Sequence, residues 1–431
     1  MAGYTLISSI GTGMYKKEGY HTTCYQFPDN EIKYKSSLFL NAILGTEFRA
    51  IRKIILVGTI TSSWDAIVPE SKENIDFWVK IKKECEDKNK GISNESIKEL
   101  EAKLPGWYKN IPFKLSVHSH EFTPDNVGSI FSSYLEIPNS LAPDTDILFD
   151  ITHGFRSMPL LIFQSLQLNA SKVSGRKIEL IYGEYIEDEN ISHVRNLSEY
   201  WNYYEVSAAI KFFEEKFDGK LLAEKVTPYW EKGAKILVRF SEIVECNFSL
   251  QIPEVLKQLK NTLKYFTEDG KPQWLIGVKN YLDELYRKMI PLENERYPVA
   301  KSVWNYSKLL REKYLITQAI IALQVVVETA ISEHIDSSKI GNYDWFYGYY
   351  DSQNNRVDGI GNNKLKNIIK NHYFLSSPFE KLKTLRNQIA HGGGKEKNTE
   401  NYPHQANING ILKPIDKAIQ ELFSILDQEA L

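Results

Sequence analysis

Ile147-Leu148-Phe149-Asp150-Ile151-Thr152-His153-Gly154-Phe155-Arg156 decides the fold of this chain. Five residues, 147–151, read as a strand apolar on both faces, and the helical pattern of residues 159–173 follows at once. Upstream the same alternation recurs. Residues 4–10, 53–58 (KIILVG) and 113–117 read as strands, and 36–48, 70–86, 95–104 and 126–135 as helices. Downstream, residues 178–182 (IELIY) supply the last strong strand. Strands that are apolar on both sides and separated by helices predict a mostly parallel sheet covered on both faces, an α/β Rossmann-like fold. In such sheets ligands bind outside the carboxyl ends of the strands. That rule selects three loops: 11–15, 59–65 and 152–157.

Beyond about residue 190 the strand signals fade and long amphipathic helices take over. Helical patterns cover residues 203–217, 229–244, 254–266, 274–289, 301–334, 363–370, 378–391 and 412–427, with a Tyr-, Asn- and Gly-rich loop at 341–363. The expected organisation is an α/β domain over 1–190, a helical linker or bundle extension over 191–298, and an all-α region over 299–431. The apolar run 314–327 falls short of the ~18–20 residues that span a bilayer and is expected to be a buried core helix. Only three cysteines, Cys24, Cys85 and Cys246, occur among 431 residues, so no disulfide framework is implied and a cytoplasmic, reducing location is expected. The N-terminus shows no basic region of a signal peptide, and no membrane partner is expected. No CxxC pair suggests zinc, and no metal or cofactor is expected. A net charge of -2 excludes a protein coated in basic residues, so any nucleic-acid site must be a local patch.

Near the C-terminus stands Arg386-Asn387-Gln388-Ile389-Ala390-His391, followed by three glycines, 392–394, that break the helix. His391 is expected at a helix C-terminus, where the dipole favours imidazolium. An arginine that stabilises phosphate charge and a histidine that moves a proton suit RNA cleavage, with Asn387 orienting the histidine or a phosphate oxygen. Lys381, Lys383, Lys395 and Lys397 are candidates to hold the RNA backbone. Residues five apart on a helix differ by ~140° and ~7.5 Å. One helix therefore does not pair Arg386 with His391, and two copies of it, meeting in a homodimer, would.

At the sheet edge, Thr152, His153, Gly154, Phe155 and Arg156 form the second candidate site. Thr59, Ser62, Ser63 and Trp64 add hydroxyls and an indole that could stack a base. Gly11, Thr12 and Gly13 follow the first strand but match neither a Walker loop nor a full GxGxxG, and a plain turn explains them equally well. His118 and His120 read as ordinary strand histidines. Glu328, in an apolar helix, wants a cation, and Arg386 is the candidate for a structural salt bridge.

Together the Asp150–Gly154 motif and the Arg386/Asn387/His391 motif resemble the CRISPR-associated CARF–HEPN ribonucleases of type III systems, in the branch marked by Asp-x-Thr-His-Gly. The resemblance spans the architecture, sensor first and nuclease last. It implies a CARF domain that dimerises and binds a cyclic oligoadenylate, usually cyclic tetra-adenylate in this branch. It also implies a HEPN dimer that cuts single-stranded RNA without metal and leaves 2′,3′-cyclic phosphate ends; the self-partner expected is a homodimer or a higher oligomer. Two other classes compete. A sensing regulator without nuclease activity would need a basic recognition helix, which is not visible. A ring nuclease would degrade the cyclic messenger within the sensor, with His153 or a loop hydroxyl involved.

Overall fold

The computed structural model describes residues 3–429 apart from 13–14, 17–18, 29–32, 70, 120–122, 124, 294, 354 and 391–404. The chain divides into two compact units, Met1–Tyr204 and Glu205–Leu431.

The first unit holds β1 (Tyr4–Ile10), β2 (Tyr15–Lys16), β3 (Gly19–Tyr20), β4 (Thr23–Gln26), β5 (Lys33–Ser36), β6 (Ile51–Thr59), β7 (Phe113–His118), β8 (Asp146–Asp150), β9 (Ile178–Ile186) and β10 (Ile191–Asn196). Its helices are α1 (Phe39–Gly45), α2 (Ile75–Glu86), α3 (Asn94–Trp107), α4 (Val127–Tyr134), α5 (Ser157–Leu168) and α6 (Ala170–Val173). Eight strands form one sheet in the order β5-β4-β10-β9-β8-β1-β6-β7. β9, β8, β1, β6 and β7 run parallel. Their spatial order is that of a doubly wound sheet, and the order reverses between β1 and β8. Successive residues face opposite sides. Leu6, Leu56 and Leu148 pack in one core layer, and Ile7, Val57 and Phe149 in the other. The sheet continues past the expected boundary near residue 190. β10 pairs antiparallel with β9, and β4 and β5 extend that edge. These strands carry polar, half-exposed positions and give no continuous apolar run.

His118 closes β7 and is buried, its ring stacked on Tyr134 at 4.1 Å. Its Nδ1 lies 2.7 Å from Ser133 Oγ. Burial pushes its pKa from 6.5 down to about 4. Between these values the unfolded chain binds a proton that the folded chain refuses. The stability that neutral His118 supplies is therefore complete above the unfolded value and is lost as pH falls through the folded one, by up to about 3 kcal/mol. His118→Phe keeps an aromatic ring and removes the titration. Urea midpoints of this variant are expected to fall less steeply than wild type between pH 6.5 and 4.5; parallel slopes would acquit His118. His120 lies outside the described residues.

The chain enters the second unit along α7 (Glu199–Lys216). There follow α8 (Lys220–Val226), α9 (Glu231–Cys246), α10 (Ile252–Lys264), α11 (Gln273–Met289), α12 (Pro298–Glu312), α13 (Ile316–Ile335) and α14 (Tyr343–Tyr347). A hairpin of β11 (Gly348–Tyr350) and β12 (Arg356–Asp358) precedes α15 (Ile360–Asn371), α16 (Ser376–Ala390) and α17 (Gln405–Glu429). One hydrophobic core runs from Ala209 to Leu426, so the middle and last helices share it.

Two expectations are corrected here. The pattern 301–334 is two helices rather than one, broken where Tyr314 adopts a left-handed φ of 57°. The loop 341–363 contains α14 and the hairpin. In addition α13 has 20 residues, more than the apolar run 314–327, and is long and apolar enough to cross a membrane. Its Ala319, Ile320, Leu323, Val326, Val327 and Ala330 are buried against neighbouring helices, which makes it the core helix of the bundle.

Candidate functional site

Two loops leave the sheet side by side where the strand order reverses. A Cβ on Gly11, after β1, would lie 3.1 Å from the amide nitrogen of Gly154, after β8. Gly154 has φ of 100°, and a Cβ there would sit 2.8 Å from Ser9 Cβ and 3.1 Å from Met158 Sδ. Both the backbone angle and the space therefore demand glycine.

Asp150, fully buried at the end of β8, holds the loop together. It accepts from Ser8 Oγ at 2.5 Å and from the Thr152 amide at 2.8 Å. Burial pushes its carboxyl up, opposed by His153 and by these donors. Thr152 Oγ1 accepts the Gly183 amide at 2.8 Å. His153 Nε2 lies 3.3 Å from the Phe39 amide and 3.2 Å from the Tyr25 hydroxyl. An amide can only donate, so Nε2 is the unprotonated nitrogen and the ring is neutral, its proton on Nδ1. Burial drives the His153 pKa down, in the same sense. Phe39 opens α1, whose N-cap Leu38 offers no capping side chain. The imidazole serves as that cap.

Above this framework lies a cavity of about 440 Å³. Thr152, His153, Gly11 and Ser63 line it, together with Tyr20, His21, Tyr25, Tyr182 and Tyr185 and the hydroxyl residues Thr23, Ser37 and Ser192. Glu187 is its carboxylate, and among the described residues no lysine or arginine lines it. Rings and hydroxyls can stack bases and donate hydrogen bonds to phosphates or base edges. The aromatic residues were not found by sequence reasoning. The available signal was Gly183 inside a strand, which marks close backbone approach: its Cβ would lie 3.0 Å from Thr152 Cγ2.

Other expected contacts fall away from the cavity. Trp64 is fully buried, and its Nε1 donates to the Thr59 carbonyl at 2.8 Å, so it is a core residue and cannot stack a base. Thr59 and Ser62 are also buried. Ser62 Oγ donates to the Ile10 carbonyl at 2.8 Å and accepts the Thr59 amide at 2.8 Å, which ties β1 to β6. Phe155 and Arg156 are exposed, and neither they, Gly154 nor exposed Thr12 line the cavity. Gly13 lies outside the described residues.

In the second unit, α16 buries Leu382 and Leu385 and packs against α13 and α17. Lys381 and Lys383 are exposed; Arg386 and Asn387 are half-buried. His391, Lys395 and Lys397 lie outside the described residues. Arg386 makes no hydrogen bond or ion pair among the described residues, so the expected salt bridge with Glu328 is absent in the strict sense. The guanidinium nevertheless acts electrostatically on Glu328, whose carboxyl burial pushes up and Tyr347, Gln324 and Arg386 hold down. Among the described residues no group of three or more His, Cys, Asp or Glu could hold a metal ion.

Residues 5–187 match the family model described as "CRISPR system endoribonuclease Csx1, CARF domain". The chain is 22% identical over 453 aligned residues to "CRISPR-associated protein MJ1674" of Methanocaldococcus jannaschii, covering 97% of this chain and 68% of that one. A structure titled "Enterococcus italicus Csm6 bound to cyclic hexa-2'-fluoro-hexa-dAMP" aligns with TM-score 0.38 and 12% identity over 99% of this chain and 98% of that one.

Proposed function

We propose that residues 5–187, which match the Csx1 CARF family model, form a CARF sensor domain and that this chain is a ribonuclease switched by a cyclic oligoadenylate. One observation carries the sensing half. The cavity stands at the reversal point of the sheet, built from the Asp150–Gly154 segment and floored by hydroxyls and tyrosine rings. A cyclic oligonucleotide presents what such a surface takes, flat bases for the rings and phosphates for neutral donors. His153 supports the loop; with Nε2 already engaged, it is poorly placed as the proton carrier of a ring nuclease.

The cleavage half rests on Arg386, Asn387 and His391. In the proposed reaction the RNA 2′-hydroxyl gives up its proton to water as the 2′-oxygen bonds to the adjacent phosphorus, and the P–O5′ bond breaks. Arg386 stabilises the charge gathered on the phosphate, and His391 delivers a proton to the leaving 5′-oxygen. The products are a 2′,3′-cyclic phosphate and a 5′-hydroxyl. A homodimer would bring two such helices together, and the activator would shift the population toward aligned pairs.

Purified protein with fluorescent single-stranded RNA and cyclic tetra- or hexa-adenylate tests this directly. Cleavage is expected only with activator, to persist in excess EDTA, and to leave cyclic phosphate ends by mass spectrometry. No binding of either ring would remove the sensor assignment. Binding without cleavage would leave a sensing module.

A further inference from the structure

Glu328 sits in the middle of α13, between the buried Val327 and Thr329. Gln324 Nε2, one turn earlier, donates to Glu328 Oε1 at 2.9 Å. The Tyr347 hydroxyl, brought in by α14, donates to the same oxygen. Gln324 Nε2 also donates to the Tyr347 hydroxyl at 3.1 Å. The three side chains close a triangle that engages Oε1 and leaves Oε2 outside it. α16 packs on α13 and presents Arg386, the cation that acts on both Glu328 and Tyr347.

A carboxylate inside a helical core is costly unless a cation and donors accompany it. If the triangle served only packing, glutamine at 328 would meet the same donors without charge. The retained charge has a use when a neighbouring guanidinium must be held in one place yet keep its donors for another anion. Arg386 has that character, half-buried and with no hydrogen bond among the described residues.

We propose that Glu328, fixed by Tyr347 and Gln324, is the positioning residue that sets the Arg386 guanidinium for the RNA phosphate; this rests on Arg386 being the nuclease cation. The triangle holds the Glu328 carboxylate in place on α13, and Arg386, on the packed α16, lies within its electrostatic reach.

The test is a double-mutant cycle in activator-stimulated RNA cleavage: Glu328→Gln, Arg386→Ala and the pair, with Tyr347→Phe as the milder variant. Glu328→Gln is expected to keep the wild-type circular dichroism spectrum, to lower kcat by about 10- to 100-fold and to leave KM within about twofold. The double variant should be no slower than Arg386→Ala alone, because the glutamate acts through the arginine. Tyr347→Phe, which removes one hydroxyl, should lower kcat less and in the same direction, and it carries the test if Glu328→Gln fails to fold. A lower melting temperature with wild-type kcat in both variants, or losses that multiply, would overturn the proposal while leaving Arg386 in place. Full activity of Arg386→Ala would instead remove the nuclease assignment, and this proposal with it.

Discussion

Arg386→Ala is expected to slow activated RNA cleavage by at least about 1,000-fold, the scale seen when a charge-stabilising donor is removed from a phosphoryl or acyl transition state. His391→Ala should do the same if it removes the proposed proton donor. Neither change should disturb the sensor. Arg386 makes no hydrogen bond or ion pair among the described residues, and Leu382 and Leu385 on the same helix carry the packing. The one structural consequence is that Glu328 loses a favourable cation, so a modest fall in melting temperature is expected. Arg386→Lys should rescue poorly, since an ammonium lacks the planar fork that meets two phosphate oxygens. Single-turnover cleavage with saturating cyclic tetra-adenylate, beside calorimetric binding of the same ligand, reads both halves. Wild-type cleavage by either alanine variant would take that residue out of the chemistry. Loss of ligand binding together with cleavage would mean that the helix is structural.

The parts of the fold visible in the sequence were those where burial is two-sided. β1, β6 and β8 are buried along most of their length, and their uninterrupted Ile, Leu, Val and Phe leave no other reading. The edge was hidden for the opposite reason. β4 and β10 alternate buried and half-exposed positions over four and six residues, too short for a period to stand out. Tyr314 was invisible as a helix break because neither glycine nor proline marks it. The rule of carboxyl ends points to loops from which Gly11, Ser63, Thr152 and His153 line the cavity, but hydroxyls and aromatics are ambiguous in a linear chain. Ser62 spends its oxygen on the Ile10 carbonyl and the Thr59 amide, and Trp64 buries its indole. Tyr182 and Tyr185, which do face the cavity, lie in a strand that reads as simple core.

That distinction between framework and lining decides what a substitution at Gly154 should do. The geometry predicts that a bulky residue there causes a folding defect. At φ of 100° any L-residue is strained, and its Cβ would strike Ser9 Cβ, which belongs to the central strand β1 and cannot swing away. Strain contributes about 1–3 kcal/mol and the forced contact with Ser9 and Met158 about as much again. Gly154→Val should therefore lower the melting temperature sharply or prevent soluble expression. Tyr185→Ala is the complementary change. The ring is 43% exposed and lines the cavity without packing in the core. Its loss should leave melting nearly unchanged and weaken cyclic oligoadenylate binding by about 10- to 100-fold, the value of one base stacked on one ring. Thermal melts and calorimetric titrations of the two variants should thus move in opposite columns, stability for Gly154 and affinity for Tyr185. If Gly154→Val melted with the wild type, the tight approach of the β1 and β8 loops would be wrong. If Tyr185→Ala bound every ring size as tightly as wild type, the activator would have to sit outside this cavity.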